Sequence, residues 1–292
     1  MSSEKGTSSN LIVPFGQHSE LGTRTKQQDT SAYIPEKGLA AVFDGHGPYG
    51  ERAARRALKF LRAHPQSPED LASLENFFRE VHAHLLDSTI HPEGDGTTGL
   101  VAHLADTPDG YTITTGNVGN SHAMLLKPGG AHLLTTDHSA ANLDEVNRLY
   151  EEHGVETVYS GTRFDATANA AMELSRMLGD RRLREEITDY HKHDSEQLFL
   201  ATPAVKHVEV EGPAILAMFT DGVFRYHPHH DPENPRGVEQ HQLVRHAQEL
   251  IDWHQKITDQ TLGALAAQLV NKFVRADNAT ALLIGLPAKK KG

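Results

Sequence analysis

The chain of 292 residues contains no cysteine. That excludes disulfides, zinc–thiolate sites and thiol nucleophiles, and it is compatible with a reducing compartment. No apolar stretch approaches the roughly 20 residues that a membrane-spanning helix needs. The N-terminus Met1-Ser2-Ser3-Glu4-Lys5-Gly6 lacks a signal-peptide pattern. Basic charge is scarce: 28 Lys and Arg face 39 Asp and Glu, a formal net charge of -11. Nucleic-acid backbones are bound by clustered Lys and Arg, and Lys289-Lys290-Lys291 is too short to serve. Neither a nucleic acid nor a membrane is therefore expected as a partner, cytoplasm is the default location, and a monomer is expected.

What is present suits a globular protein. Hydrophobic residues make up 38% and charged residues 23% of the chain, and its length can bury a sizeable core. Residues 1–10 read as a polar tail, 11–287 as a single domain and 288–292 as a basic end. The group His227, His229 and His230 sits among prolines in the segment 227–237. It reads as a solvated loop rather than a metal site.

The most informative stretch is Gly38–Gly47, where an apolar run ends on Asp44-Gly45-His46-Gly47. A short apolar run reads as a buried strand. An acid at its end is costly to bury without a partner, and a histidine two residues on can donate or accept a proton near neutrality. Before it lie a strand candidate at Leu11–Phe15, a polar loop at Leu21–Asp29 and a short strand at Ser31–Ile34. After it, helical spacing places Ala53, Ala54, Ala57, Leu58 and Leu61 inward. A second helix is expected from Pro68 to about Ile90, with Leu71, Leu74, Phe77, Phe78, Val81 and Leu85 inward. Strands then recur at 100–104, 111–116, 122–127 and 132–135, with turn signals that suggest an antiparallel meander. Further elements are a helix at 142–153, strands at 205–210 and 213–220, helices at 243–253 and 261–274, and a last strand at 279–286.

Asp44, Asp221 and Asp277 share a context, since each abuts a strongly apolar strand. In an antiparallel sheet the end of one strand lies beside the start of its neighbour, so the three acids can meet at one sheet edge. Each alone reads as a turn or cap residue. Together, with His46 and Arg24, they point to a site for a hard ion such as Mg²⁺ or Mn²⁺, which takes oxygen ligands.

These stretches together resemble the type 2C, metal-dependent protein serine/threonine phosphatases, from about Gly22 to Leu286. Arg24 with Gln28-Asp29 is similar to the family's first motif and Val42–Gly47 to its central signature. Gly96-Thr97-Thr98, Asn117–His122, Leu134–His138 with Glu145 and Arg148, and Ser175–Asp180 follow in the family's order. Thr220–Val223 and Asp277–Thr280 resemble the late metal motifs.

The resemblance implies an α+β fold: a four-layer α-β-β-α sandwich of two antiparallel sheets, each flanked by a helix pair. It implies hydrolysis of phosphoserine and phosphothreonine in phosphoproteins, by in-line attack of water activated by two metal ions. Asp44 would bridge the ions, with the Gly45 carbonyl on one and Asp221 and Asp277 on the other. Arg24 would hold the phosphate, His46 would protonate the departing oxygen, and Asp29 would orient water or His46 from behind. The segment 154–195 would be the flap beside the active site. The chain departs from the pattern where many relatives carry acids for a third ion. Asn120 and Arg225 stand there instead, so two ions and no third are expected. His122 also replaces an arginine, and Gln28 stands where some relatives have glutamate. A catalytically weak or inactive binding module is the alternative, and a hydrolase for a non-phosphate substrate is disfavoured by Arg24.

Overall fold

In the computed structural model, residues 11–158, 163–167, 170–192, 198–223, 244–249, 251, 257–273 and 277–289 are described. The elements, in chain order, begin with β1 (Phe15–Glu20), β2 (Asp29–Ile34), β3 (Leu39–His46), α1 (Gly50–Ala63) and α2 (Leu71–Leu86). They continue with β4 (Gly96–Thr97), β5 (Gly99–Asp106), β6 (Gly110–Val118), β7 (His122–Lys127), β8 (Gly130–Leu133) and α3 (Leu143–His153). Next are β9 (Thr157–Val158), β10 (Arg163–Thr167), β11 (Ala170–Met172), β12 (Leu178–Gly179), α4 (Arg181–His191), β13 (Ala204–Glu211) and β14 (Ala214–Phe219). Helical residues 244–249 (α5), α6 (Asp259–Phe273) and β15 (Ala279–Leu286) complete the chain.

Two antiparallel sheets pack face to face. One runs β1-β15-β14-β7-β8, and the other runs β12-β4-β3-β5-β6-β13 with β2 on the free side of β3. Alternate residues of each strand point to opposite faces, and here both faces are covered. Val42, Leu100, Ala102 and Ile113 of one sheet meet Leu125, Leu216, Met218 and Leu282 of the other in the central core. The outward-pointing Ala41, Phe43 and Val101 pack under α1 and α2. On the other flank Ile215, Ala217, Phe219 and Leu283 pack under α5 and α6. This is the expected four-layer α-β-β-α sandwich. Among the described residues no helix is long and apolar enough to cross a membrane.

Several local expectations change. The first strand is Phe15–Glu20 rather than Leu11–Phe15. Leu11 and Val13 are buried as an extended lead-in, and Pro14 has no N–H to give a ladder. Leu71, expected inward, is exposed; it is the first residue of the helix, directly after the Asp70 cap. The strands 100–135 are not one meander. Two hairpins form, β5–β6 and β7–β8, but the link at 119–121 carries the chain from one sheet to the other. Period-2 patterning is the same whichever neighbour a strand takes, so it did not reveal this crossing. Beside the sandwich, β9, β10 and β11 form a small sheet whose Phe164 and Ala166 pack on α3 and α4 residues.

Candidate active site

The acids lie at one end of the sandwich, and they come from both sheets rather than from one sheet edge. Asp221 follows β14 and Asp277 precedes its neighbour β15, so pairing of these strands brings the two together. Thr220 donates its N–H to the Thr280 carbonyl at 3.1 Å and accepts the Thr280 N–H on its hydroxyl at 2.9 Å. Asp44 belongs to the opposite sheet. It does not end its strand, since β3 runs on through Gly45 to His46. Gly45 has no side chain because its backbone abuts that of Gly50, the first residue of α1. Any Cβ there would push the helix away from the site.

Asp29 and Asp44 are direct cross-strand partners in the β2–β3 pair. Like charges so placed repel. Burial raises Asp29 to about pH 6, against hydrogen bonds from Thr280 and Thr220 that lower it. Both threonine hydroxyls donate to its Oδ2, at 2.8 and 2.9 Å. Burial also lifts Asp44 well above the usual carboxylate range, helped by the charges of Asp29, Asp221 and Asp277. The four acids are therefore electrostatically one cluster, short of positive charge.

Two hydrogen-bond donors, one cationic and one neutral, partly offset the negative charge. Arg24 donates from Nη2 to Asp277 Oδ2 at 2.6 Å. Asn120, itself buried, donates from Nδ2 to Asp221 Oδ2 at 3.1 Å. The loop that carries Arg24 is stapled by Asn278. Its Oδ1 accepts the Gln28 N–H at 2.8 Å and its Nδ2 donates to the Leu21 carbonyl at 3.0 Å. Among the described residues no three His, Asp or Glu side chains surround a single point as a finished cage. With Asp277 turned to Arg24 and Asp29 held by two threonines, that is consistent with the geometry. What the cluster offers an ion is charge and donor type: several carboxylate oxygens with raised proton affinity, and no sulfur. A cation among them would reverse the pKa shifts. Arg225 and the segment 227–237 lie outside the described residues.

His46 points into the same cleft. Its Nε2 meets Asp180 Oδ2 at 2.6 Å, and its Nδ1 is buried with no hydrogen-bond partner among the described residues. Asp29 faces Asp44 and the two threonines. The structure thus brings Arg24, Asp29, Asp44, Gly45, His46, Asp221 and Asp277 to one place and adds Asp180, Asn278, Thr220 and Thr280. These four stand in the quoted motifs, but nothing in the sequence marked their contacts. The cleft has a volume of about 670 Å³ and extends from the acids to the β10–β11 hairpin and α4, where Arg163, Met172, Arg182 and Glu186 line it.

Solved structures of similar shape define the class. The PPM Ser-Thr phosphatase MsPP from Mycobacterium smegmatis matches with a TM-score of 0.59 at 20% identity, over 96% of this chain and 100% of that one. Serine/threonine phosphatase Stp1 from Staphylococcus aureus matches with a TM-score of 0.62 at 17% identity, over 99% of this chain and 100% of that one. The catalytic domain of PstP, solved with two manganese ions, matches with a TM-score of 0.58 at 18% identity, over 94% and 98%. The fold is that of the PPM-type serine/threonine phosphatases.

The family follows from the sequence itself: the Protein phosphatase 2C model matches residues 17–258, and the chain belongs to that family. The matched span stops short of Asp277. Among curated relatives, probable protein phosphatase 2C 52 of Oryza sativa is 28% identical over 75% of this chain and 43% of its own length. Probable protein phosphatase 2C 71 of Arabidopsis thaliana is 29% identical over 62% and 41%. The chain thus spans less than half the length of these two relatives.

Proposed function

We propose that this chain is a metal-dependent phosphoprotein phosphatase acting on phosphoserine and phosphothreonine. The observation that supports it most is the convergence of four carboxylates from two sheets beside Arg24 and His46, in a member of the Protein phosphatase 2C family. We assign Asp44, the Gly45 carbonyl, Asp221 and Asp277 to two Mg²⁺ or Mn²⁺ ions, the number seen in PstP, and no third ion. Such ions, when bound, acidify water and polarise phosphoryl oxygens.

The protein's own groups do the rest. Arg24 is half exposed at the cleft mouth, and its planar fork suits two phosphate oxygens. The threonines hold Asp29 against Asp44, which keeps the acid pair in register. Asn120 donates to Asp221 where an acid would repel it, which supports a site of two ions. His46 supplies the proton that the leaving serine or threonine oxygen takes as its bond to phosphorus breaks.

The test is phosphate release from a phosphothreonine peptide with and without Mn²⁺, beside an Asp44→Ala control. Release should depend on Mn²⁺ and fall in the variant by about 100-fold or more. Equal inactivity of both proteins would instead identify a binding module.

A further inference from the structure

Asp95 lines the cleft with a side chain only 4% exposed, yet it is neither an assigned ion ligand nor a phosphate contact. We infer that Asp95 is a positioning residue that uses its two carboxylate oxygens for two tasks. Oδ2 holds the turn that presents the Gly45 carbonyl. Oδ1 holds Arg182 at the cleft as a contact for the substrate's peptide chain. This rests on the phosphatase reading above.

The turn lies between β3 and α1, where the chain doubles back on itself. Gly45 and Gly50 meet backbone to backbone, so that a Cβ on Gly45 would lie 2.1 Å from the Gly50 carbonyl oxygen. The position of Tyr49-Gly50 therefore limits where the Gly45 carbonyl can stand. Helix α1 receives no side-chain cap from its own N-cap residue, Tyr49. Instead the Tyr49 N–H donates to Asp95 Oδ2 at 2.9 Å. An acid at that end also meets the positive end of the helix dipole. Gln28 grips the turn as well, donating from Nε2 to the Gly47 carbonyl at 2.7 Å. Gly47, at a φ of +88°, leaves the carboxylate its room: a Cβ there would lie 2.6 Å from Asp95 Oδ1.

Arg182 is the second residue of α4. It donates from Nη2 to Asp95 Oδ1 at 2.8 Å while half of its side chain stays exposed. Its stem lies along Gly94, where a Cβ would meet Arg182 Cγ at 3.1 Å. Its backbone N–H donates to the Gly94 carbonyl at 3.4 Å. Asp95 takes one of the five guanidinium N–H donors. The exposed remainder belongs to a side chain that lines the cleft, where a peptide brings carbonyls and carboxylates as acceptors.

Asp95 is itself anchored. Its carbonyl accepts from buried His91 Nε2 at 2.8 Å and from the Asp180 N–H at 3.2 Å. One fixed residue before β4 thus ties the start of α1 to the start of α4, across 46 positions in one direction and 87 in the other.

The two oxygens can be separated by substitution. In Asp95→Asn the Tyr49 N–H needs the amide oxygen, so the NH₂ group faces the guanidinium, donor against donor. That variant keeps the turn and releases Arg182, whereas Asp95→Ala loses both. The experiment measures Mn²⁺ binding by calorimetry, and KM with Mn²⁺ on a phosphothreonine peptide and on p-nitrophenyl phosphate, which has no peptide chain. It compares wild type, Asp95→Ala, Asp95→Asn, Arg182→Gln and the double variant Asp95→Asn/Arg182→Gln. Asp95→Ala should weaken Mn²⁺ about 10-fold, with Asp95→Asn and Arg182→Gln within about twofold of wild type. All three should raise KM on the peptide about fivefold more than KM on the aryl phosphate. The double variant should be no worse than either of its singles, because both break one contact. Asp95→Ser is too short to reach Tyr49 but leaves a polar group in the buried position, and it repeats the Mn²⁺ test should Asp95→Ala not fold. Unchanged Mn²⁺ affinity in the Ala and Ser variants, equal weakening in every variant, or equal KM losses on the two substrates overturns the assignment and leaves the phosphatase reading intact. A wild type that neither binds Mn²⁺ nor releases phosphate overturns both.

Discussion

Asp44 carries the sharpest contradiction in the chain. It sits opposite Asp29 and within reach of the charges of two further acids. In the metal-free protein its ionised form is disfavoured, so removing the charge should help the fold and harm the site. Asp44→Asn is expected to melt higher than wild type in EDTA at pH 7, yet to gain nothing from Mn²⁺. Wild type should gain several degrees at saturating Mn²⁺, because an ion bound only by the native state stabilises it. Differential scanning calorimetry with and without Mn²⁺ reads both effects. At this scale the sequence was informative about identity and poor about partners. Asp44, Asp221 and Asp277 were legible because each abuts an apolar run. Asn278 was not. Its side chain joins residues 21 and 28 across some 250 positions, and no local pattern encodes such a bond. Asn278→Ala would strand the Gln28 N–H and the Leu21 carbonyl. It should cost about 1–3 kcal/mol and raise KM through the loosened Arg24 loop, as denaturant melts and steady-state kinetics would register.

Among the elements, α2 was the easiest to read and holds a consequence that its periodicity does not contain. Asp70 and Ser73 close a capping box at its start, and Leu74, Phe77, Phe78, Val81 and Leu85 line its buried face. The Phe78 ring lies on two glycines, Gly99 of β5 and Gly116 of β6, each close enough that a Cβ would approach within 3 Å of it. The helix is seated in a notch in the sheet. Phe78→Ala is therefore expected to cost about 3–5 kcal/mol, and a larger residue at Gly116 would lift the helix. Urea unfolding of the two variants gives the comparison. Leu71 shows the limit of the pattern: helical phase marks which face is apolar but not which residues of that face are covered. The strand order 100–135 shows another, because alternation says that a strand has two faces without saying which strand lies beside it.

Over the whole molecule, acid is expected to act through buried groups outside the carboxylate cluster as well as through the cluster itself. Burial lowers His122 to about pH 4. Burial, with the charge of Arg176 nearby, lowers His138 to about pH 3. Burial alone would raise Glu145, but hydrogen bonds from Arg176 and Ser175 outweigh it and hold the acid at about pH 2. All three are depressed in the folded state. The unfolded chain therefore takes up protons first as pH falls, and the stability they contribute is lost on acidification. For the histidines that loss begins near pH 6.5 and runs down through about pH 4 to 3. For Glu145 it begins near pH 4.5 and runs to about pH 2. These three groups pull the melting temperature down below pH 6.5, against Asp29 and Asp44, whose raised values let the folded state take up protons first and so add stability as pH falls. His138→Gln should remove part of the downward component, as calorimetry of wild type and variant across pH would record.

By itself the sequence determined the parts. Apolar runs of strand length, helical spacing after Gly47, and acids set against apolar strands follow from local chemistry that each residue carries wherever it lies. These were enough to anticipate the layers. The tertiary structure alone decided the pairings. It set Asp44 across the sandwich from Asp221 and Asp277 rather than along one edge. It placed Asp180 on His46 over a separation of 134 positions. The reason is physical: burial and backbone periodicity act over a few residues and leave a trace in composition. A hydrogen bond between distant side chains depends on where two backbones arrive, and that is settled only when the sheets close.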